Sequence, residues 1–192
     1  IKAPNIEEFP GDYHIKPETT SAILTIRSKF DEFHSTGYYA PAGSCVKVTV
    51  LEGNSTGWDL RISSHTDDLS DMECFNRWPI AYSCVKLKRS LSVTTAFGGL
   101  VYLDSPKGNS TLKIKLEFVV EAPYYDLTKP ETIKNWEKSR NAPGLWAELA
   151  GKNIIFTVPS HSIRNLDDPE KILNLWDSLV SANHELRGSD RN

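Results

Sequence analysis

The pair His184 and Glu185, near the end of the chain, has the residue types of a metal-dependent active site. In the motif His-Glu-x-x-His, two histidines one helical turn apart hold a zinc ion, and the glutamate takes a proton from zinc-bound water. Here the position of the second histidine is Gly188. Because one imidazole beside one carboxylate holds zinc poorly, we predict no metal site, no cofactor and no catalytic residue in this chain.

A second polar segment, residues 64–68, places His65 and Asp67 directly after a predicted strand. Its carboxylates could bind calcium, which prefers oxygen ligands, or hydrogen-bond a sugar. The spacing matches no defined calcium loop, and Asp and Thr side chains also shape turns by bonding nearby backbone amides. Both interpretations stay open at this point.

Several aromatic residues lie in or beside predicted loops. A flat ring at a loop tip can stack on a sugar or anchor a peptide, because it offers a large rigid apolar surface with a polar edge. Buried aromatics that anchor loops are also common in β-sandwiches. The residues open to either role are Tyr38, Tyr39, Trp58, Trp78, Tyr124, Tyr125 and Trp146.

Three cysteines are too few for a disulfide framework, and their odd number leaves at least one unpaired within the chain. Cys74 and Cys84 would close a short loop and are the candidate disulfide; three buried or free thiols are the alternative. Two acceptor sequons, at Asn54 and Asn109, lie in glycine-containing turns where a glycan would be exposed. The sequons favour an extracellular setting modestly.

The composition argues against two classes of partner. The 22 lysines and arginines are outnumbered by 25 aspartates and glutamates, so the net charge of -3 leaves no surplus to neutralise nucleic-acid phosphates. The apolar runs are far shorter than the roughly 18 to 20 residues of a membrane span. With 192 residues and 39% hydrophobic content, the chain can bury a core without disulfides or metals.

Residues 1–20 contain several prolines and no sustained hydrophobic period, which predicts an extended lead-in. Residues 21–122 contain short segments, several of which alternate apolar with polar residues, separated by turns. Such segments place one face on a core and the other in water, and an antiparallel β-sandwich is the simplest packing for them. The predicted strands cover residues 22–26, 45–50, 58–62, 85–87, 92–95, 100–103 and 112–118.

Residues 123–192 change character and predict an α/β extension of helix, strand and helix. The first helix begins at residues 128–131, whose Thr-Lys-Pro-Glu sequence has the form of a capping box, and it should end before Pro143. Residues 152–158 follow as a strand.

The second helix of the extension is capped by Asp167 or Asp168 and stops at Gly188. Apolar residues recur at helical spacing between them. The predicted fold class is therefore mainly β with an α/β extension, in which an antiparallel β-sandwich is followed by helix, strand and helix.

Seven segments occur in one order along the chain: 35–43 (STGYYAPAG), 65–68 (HTDD), 97–102 (FGGLVY), 121–125 (EAPYY), 146–149 (WAEL), 154–160 (IIFTVPS) and 175–177 (LWD). Together they resemble the front, N-terminal part of the enhancin-like, mucin-active zinc metallopeptidase domain. The resemblance is strongest to its animal branch, the TRP-channel-associated factors, and it covers residues 1 to 186.

This resemblance implies a β-rich front half packed against a helical half that carries His-Glu-x-x-His and a later glutamate ligand. No zinc ligand carries over to this chain, so it is expected to be inactive alone, with zinc only in a parent whose catalytic half is intact. The family's front half also helps to wall the substrate cleft. His65, Asp67, Trp146 and Glu148 are therefore candidates for substrate-side or interdomain contacts, beside a purely structural role.

Two functions of different classes remain open. In the first, the chain is the non-catalytic front portion of a zinc metallopeptidase-like protein acting on glycoprotein or mucin-like substrates, and the helical catalytic half is its partner. In the second, it is a stand-alone module that binds a protein or glycan without peptidase activity. Glycosylated sequons and a disulfide would indicate secretion, whereas free thiols and unmodified Asn54 and Asn109 would fit a cytosolic, membrane-associated channel partner.

Overall fold

The computed structural model describes residues 1–189, which divide into two compact units. Unit 1 contains Ile1–Glu121 together with Pro143–Leu145. Unit 2 contains Ala122–Ala142 and the chain from Trp146 onward. No helix within residues 1–189 is both long and apolar enough to cross a bilayer.

Unit 1 is an antiparallel β structure built on eight strands of one curled sheet. Seven of them run in the order β5-β4-β7-β2-β8-β3-β6, and β1 pairs with β8 off this path. The strands are β1 Thr20–Ser28, β2 Phe33–Ala40, β3 Cys45–Glu52, β4 Asp59–Ile62, β5 Ser83–Lys86, β6 Ser90–Thr94, β7 Gly99–Asp104 and β8 Ser110–Glu121.

Alternating side chains explain why these segments are strands. In β8, for example, Leu112, Ile114 and Leu116 are buried, while the lysines between them face outward. Both halves of the curled sheet contribute to one core, which includes Val46, Val48, Trp58, Leu60, Leu103 and Ile114. The predicted antiparallel β architecture is confirmed, and its two layers are halves of a single sheet.

Strand β2 was not predicted from the sequence, and Tyr38 and Tyr39 were expected in or beside a loop. Both tyrosines lie in β2, and Tyr39 is fully buried. Trp58 is fully buried too, and its Nε1 donates to Ser110 Oγ at 3.0 Å. Tyr39 and Trp58 are therefore packing residues, whereas Tyr38 is partly buried and packs against the same core.

Unit 2 combines a small sheet with helices. Its strands are β9 Tyr124–Asp126, β10 Trp146–Ala150 and β11 Ile155–Pro159, and its helices are α1 Pro130–Lys134, α2 Trp136–Ser139 and α3 Pro169–Arg187. Strand β10 is central, antiparallel to β11 and parallel to β9. The helix, strand and helix of the predicted extension are present, and β9 and β10 are additional strands.

The sequence predicted the N-terminal cap of α3 correctly and that of α1 incorrectly. Helix α3 begins as predicted: the Asp168 side chain accepts a hydrogen bond from Glu170 N at 3.1 Å, and Gly188 ends the helix with φ 60°. The predicted capping box of α1 is wrong. Lys129 is the N-cap, and Thr128 Oγ1 donates to Asp126 Oδ1 at 2.6 Å instead of capping the helix.

Candidate functional site

A surface groove of about 460 Å³ in unit 1 opens between the lead-in and the long segment that joins β4 to β5. Phe75 and Trp78 expose 47% and 43% of their surface, which is costly in water unless a ligand covers them. This aromatic groove is lined by Glu8, Phe9, Phe75, Asn76, Arg77 and Trp78, among others.

One hydrogen bond and one cation–π contact hold the two walls of the aromatic groove together. Trp78 Nε1 donates to the carbonyl oxygen of Pro4 at 2.8 Å, and the indole lies edge-on to Phe97 at 6.0 Å. The Arg77 guanidinium lies 5.0 Å from the centre of the Phe9 ring, within the range of a cation–π contact. The lead-in is therefore a structural part of unit 1 and forms one wall of the groove.

His65 and Asp67 each contact a residue that lines this groove. The His65 ring packs edge-on against Phe9, with 4.7 Å between centroids. Asp67 forms an ion pair with Arg77. Burial lowers the pKa of His65, and the charge of Arg77 lowers it further. The structure thus brings the two predicted residues of unit 1 to one place, where they position Phe9 and Arg77.

The turn around Asp68 shows which interpretation of residues 64–68 the geometry favours. Asp68 Oδ1 accepts a hydrogen bond from Ser70 N at 2.9 Å, and the pKa of Asp68 is lowered by its hydrogen bonds with Ser70. Asp67 is already paired with Arg77. These carboxylates shape and neutralise the segment, as Asx turns and ion pairs do.

Glu148 and Trp146 lie together on strand β10 of unit 2. Glu148 is only 2% exposed and stands opposite Tyr124 of β9 and Thr157 of β11. Its backbone N donates to Pro123 O at 3.0 Å. Trp146 is half-buried at the start of the strand. A ligand could reach Trp146, whereas Glu148 is enclosed by the unit.

A charged network is centred on Tyr124, the neighbour of Glu148 on strand β9. Tyr124 OH donates to Asp126 Oδ2 at 2.9 Å, and Lys129 Nζ lies 2.8 Å from the tyrosine oxygen and 3.0 Å from Asp126 Oδ2. Burial, followed by the charge of Asp126, raises the pKa of Tyr124 far above its ordinary value. Burial opposes ionisation of Asp126, but hydrogen bonds from Thr128 and Lys129 outweigh it and lower the Asp126 pKa.

The described residues do not fit a zinc ion. Residues 1–189 contain no group of three or more His, Cys, Asp or Glu side chains that could hold a metal. His184 and Glu185 lie in the last turn of α3, and Gly188 occupies the left-handed position that ends the helix.

All three cysteines within residues 1–189 are exposed free thiols in the structure, which is the arrangement of the free-thiol alternative to the candidate Cys74–Cys84 disulfide. Cys84 lies on strand β5, and its Sγ is 4.0 Å from Asp104 Oδ2. Cys74 belongs to the segment between β4 and β5. The sequons at Asn54 and Asn109 are exposed, as expected for turns.

Sequence reasoning missed most of the aromatic groove. Trp78 was among the aromatics open to a ligand role, but Glu8, Phe9, Phe75 and Arg77 were not singled out. One signal was available: the run Phe-Asn-Arg-Trp-Pro at residues 75–79 lies in a connection of about 20 residues between β4 and β5, and long loops of this kind are often binding loops.

Two family models cover the chain. Residues 16–118 match the N-terminal domain of M60-like peptidases, and residues 118–192 match peptidase M60, enhancin and enhancin-like. The chain belongs to the M60-like peptidase family. It is 31% identical over 191 residues to TRPM8 channel-associated factor 1 of Homo sapiens. The alignment covers 95% of this chain and 21% of that protein. The chain thus spans about a fifth of the length of the curated relatives it matches.

Solved structures share the fold at low identity. A protein of unknown function from Bacillus anthracis superposes with a TM-score of 0.68 at 17% identity, covering 91% of this chain and 38% of that one. IMPa from Pseudomonas aeruginosa in complex with an O-glycopeptide gives a TM-score of 0.59 at 16% identity, covering 77% of this chain and 19% of that one. At these identities the likeness shows the fold alone.

Proposed function

We propose that this chain is the non-catalytic front portion of an M60-like protein that acts on glycoprotein or mucin-like substrates. The observation that carries the proposal is the aromatic groove: exposed rings and uncommitted polar groups line a cavity of about 460 Å³. Ring faces stack on sugars, and the Asn5 and Asn76 amides and the Glu8 carboxylate can bond hydroxyl groups. IMPa, which shares the fold, is known in complex with an O-glycopeptide.

The outer face of helix α3 supports a second part of the proposal, the interdomain surface. Leu173 and Asp177 face the interior of unit 2, but apolar residues continue on the other side. Four of them recur at helical spacing and are each between 39% and 58% exposed: Ile172, Leu175, Trp176 and Leu179. An exposed apolar stripe of this kind is typical of a surface that packs against an apolar partner. The helical catalytic half of the parent, which would hold the zinc ion, is the partner we propose.

An alternative function is supported by the identity to the channel-associated factors over 95% of the chain. On this alternative the chain is a protein- or glycan-binding module of a channel-associated-factor-like protein without peptidase activity. The same aromatic groove would then bind a partner protein or its glycan. Both functions agree that the groove binds and that this chain alone does not cleave.

The test measures binding of an O-glycopeptide and of the same peptide without sugar to the 192-residue protein, by isothermal titration calorimetry. We expect the glycopeptide to bind more tightly and Phe75→Ala to weaken it by about tenfold, the effect of losing one stacked ring. Phe30→Ala, which removes another exposed ring of unit 1, is the matched control. Equal binding of both peptides would favour the protein-binding alternative, and no binding of the glycopeptide would reject the proposed role of the groove in binding glycoprotein substrates.

A further inference from the structure

A second pocket of unit 1 has no role in the function proposed above. It encloses about 360 Å³ and is lined by Lys16, Pro17, Thr19, Ser44, Cys45 and Phe118. The lining residues come from the end of the lead-in, the turn before β3 and a bulge in β8. Three features of this pocket point to the same kind of ligand.

The first feature is the backbone of Phe118. Its φ is 64°, in the left-handed region that ordinary side chains avoid, and 52% of the residue is exposed. The bulge arises because β1 pairs Ser21 with Glu117 and Thr20 with Val119, which leaves Phe118 without a counterpart. The bulge explains the positive φ at this position. It does not explain why the residue is phenylalanine, because glycine or asparagine adopts a positive φ at lower cost.

The second feature is an unused hydrogen-bonding group. Ser44 is only 6% exposed, and its Oγ is buried without a hydrogen-bond partner among the described residues. The turn holds its backbone, since Ser44 N donates to Pro41 O at 3.0 Å. An unsatisfied buried hydroxyl costs stability, and rotation about χ1 toward a ligand in the pocket would give it a partner.

The third feature is the charge of the lining. Lys16 is exposed and forms no ion pair within residues 1–189, and none of the six lining residues carries a carboxylate. Thr19 adds an exposed hydroxyl. The wall therefore offers one cation, two hydroxyl donors and one aromatic face, which together suit a negatively charged group attached to an apolar body.

We propose that the pocket between Lys16, Ser44 and Phe118 binds a small molecule that carries a carboxylate next to an apolar ring or acyl group. The carboxylate accepts from Lys16 Nζ and from the rotated Ser44 hydroxyl, and the apolar part covers Phe118. This binding requires no metal and no group outside unit 1, and it is independent of the aromatic groove.

Cys45 provides a reporter on the rim of this pocket. All three cysteines are free and exposed, so alkylation by iodoacetamide, followed by peptide mass spectrometry, measures each thiol separately in the unmodified protein. Benzoate is the probe, and benzamide is its uncharged isostere. We expect benzoate at millimolar concentration to slow alkylation of Cys45 several-fold, while Cys74 and Cys84 react as before and serve as internal controls.

Variants separate binding from folding. Lys16→Gln should weaken benzoate protection by up to about fivefold, the range of an exposed ion pair, and Lys16→Arg should restore it. Phe118→Asn should abolish protection without lowering the thermal midpoint, because asparagine tolerates the left-handed backbone. A residue needed only for packing would instead lower the midpoint when replaced.

The results divide cleanly. Protection of Cys45 by benzoate, weaker protection by benzamide and weaker protection by benzoate in Lys16→Gln support the proposal. Equal protection by benzoate and benzamide, protection of all three cysteines alike, or no protection at all would overturn it.

Discussion

Asp177 joins helix α3 to the turn between β10 and β11, and its removal tests how unit 2 is held together. Its two carboxylate oxygens accept from Lys152 N at 2.8 Å and from Asn153 N at 2.7 Å, and the residue is only 7% exposed. Hydrogen bonds to a charged, buried acceptor contribute about 1.5 kcal/mol or more each. We therefore expect Asp177→Ala to lower the free energy of unfolding by about 3 kcal/mol.

A substitution at Gly151 provides a second test of the hydrogen bonds that Asp177 accepts. A Cβ atom at Gly151 would lie 2.7 Å from Asp177 Oδ1, so Gly151→Ala must push the carboxylate away from its two donors. We expect a cost of about 1 to 2 kcal/mol, part of the hydrogen-bond energy. In an Asp177→Ala background the obstructing oxygen is absent, and Gly151→Ala should cost almost nothing or stabilise slightly by restricting the unfolded chain.

Urea unfolding followed by far-UV circular dichroism measures the four proteins of this double-mutant cycle. The expected coupling between the two sites is about 1 to 2 kcal/mol, in the direction of rescue. Asn174→Ala, on an exposed position of the same helix, is the control for loss of a side chain from α3. If the two single changes simply add, the carboxylate does not hold the turn in the way described.

Three further predictions concern single residues. Asp168→Ala should destabilise unit 2 by about 1 kcal/mol through loss of the α3 N-cap, measured by urea unfolding. Because the pKa of Asp126 is lowered in the folded state, its contribution to stability is complete above the unfolded value near pH 4 and is lost as pH falls; Asp126→Asn should therefore be less sensitive to acid below about pH 4. The lowered pKa of His65 has the same sign: the stability it confers is present above about pH 6.5 and is lost as pH falls toward the folded value. An NMR titration of the imidazole that gave an unshifted or raised pKa would contradict this.

The sequence predicted those elements whose ends or exposure pattern are set by residues close together in the chain. Helix α3 was predictable because Asp168, Pro169 and Gly188 mark its ends by interactions within a few residues. Strand β10 was not, because it is the central strand of its sheet and four of its five residues are buried, which removes the alternation that identifies a half-exposed strand. Strand β2 contains Gly37 and few aliphatic residues, so it also lacked the signal.

The candidate site depends on contacts that no local pattern contains. The hydrogen bond from Trp78 Nε1 to Pro4 O joins residues 74 positions apart and connects the two walls of the aromatic groove. Sequence reasoning found His65 and Asp67 because imidazoles and carboxylates are the groups associated with chemistry. It missed Phe9 and Phe75, whose exposure could not be known before the lead-in was placed.

The charged residues that the sequence singled out, Asp67 and Glu148, are not among the residues that line the aromatic groove. Asp67 is neutralised by Arg77, and Glu148 is enclosed in unit 2 next to a hydrogen-bonded tyrosine. The groove is lined by ring surface, amide groups, one carboxylate and the Arg77 guanidinium, which is paired with Asp67. Recognition by such a surface relies on stacking and hydrogen bonds more than on long-range charge. This chemistry suits the sugar or peptide ligand proposed for the aromatic groove.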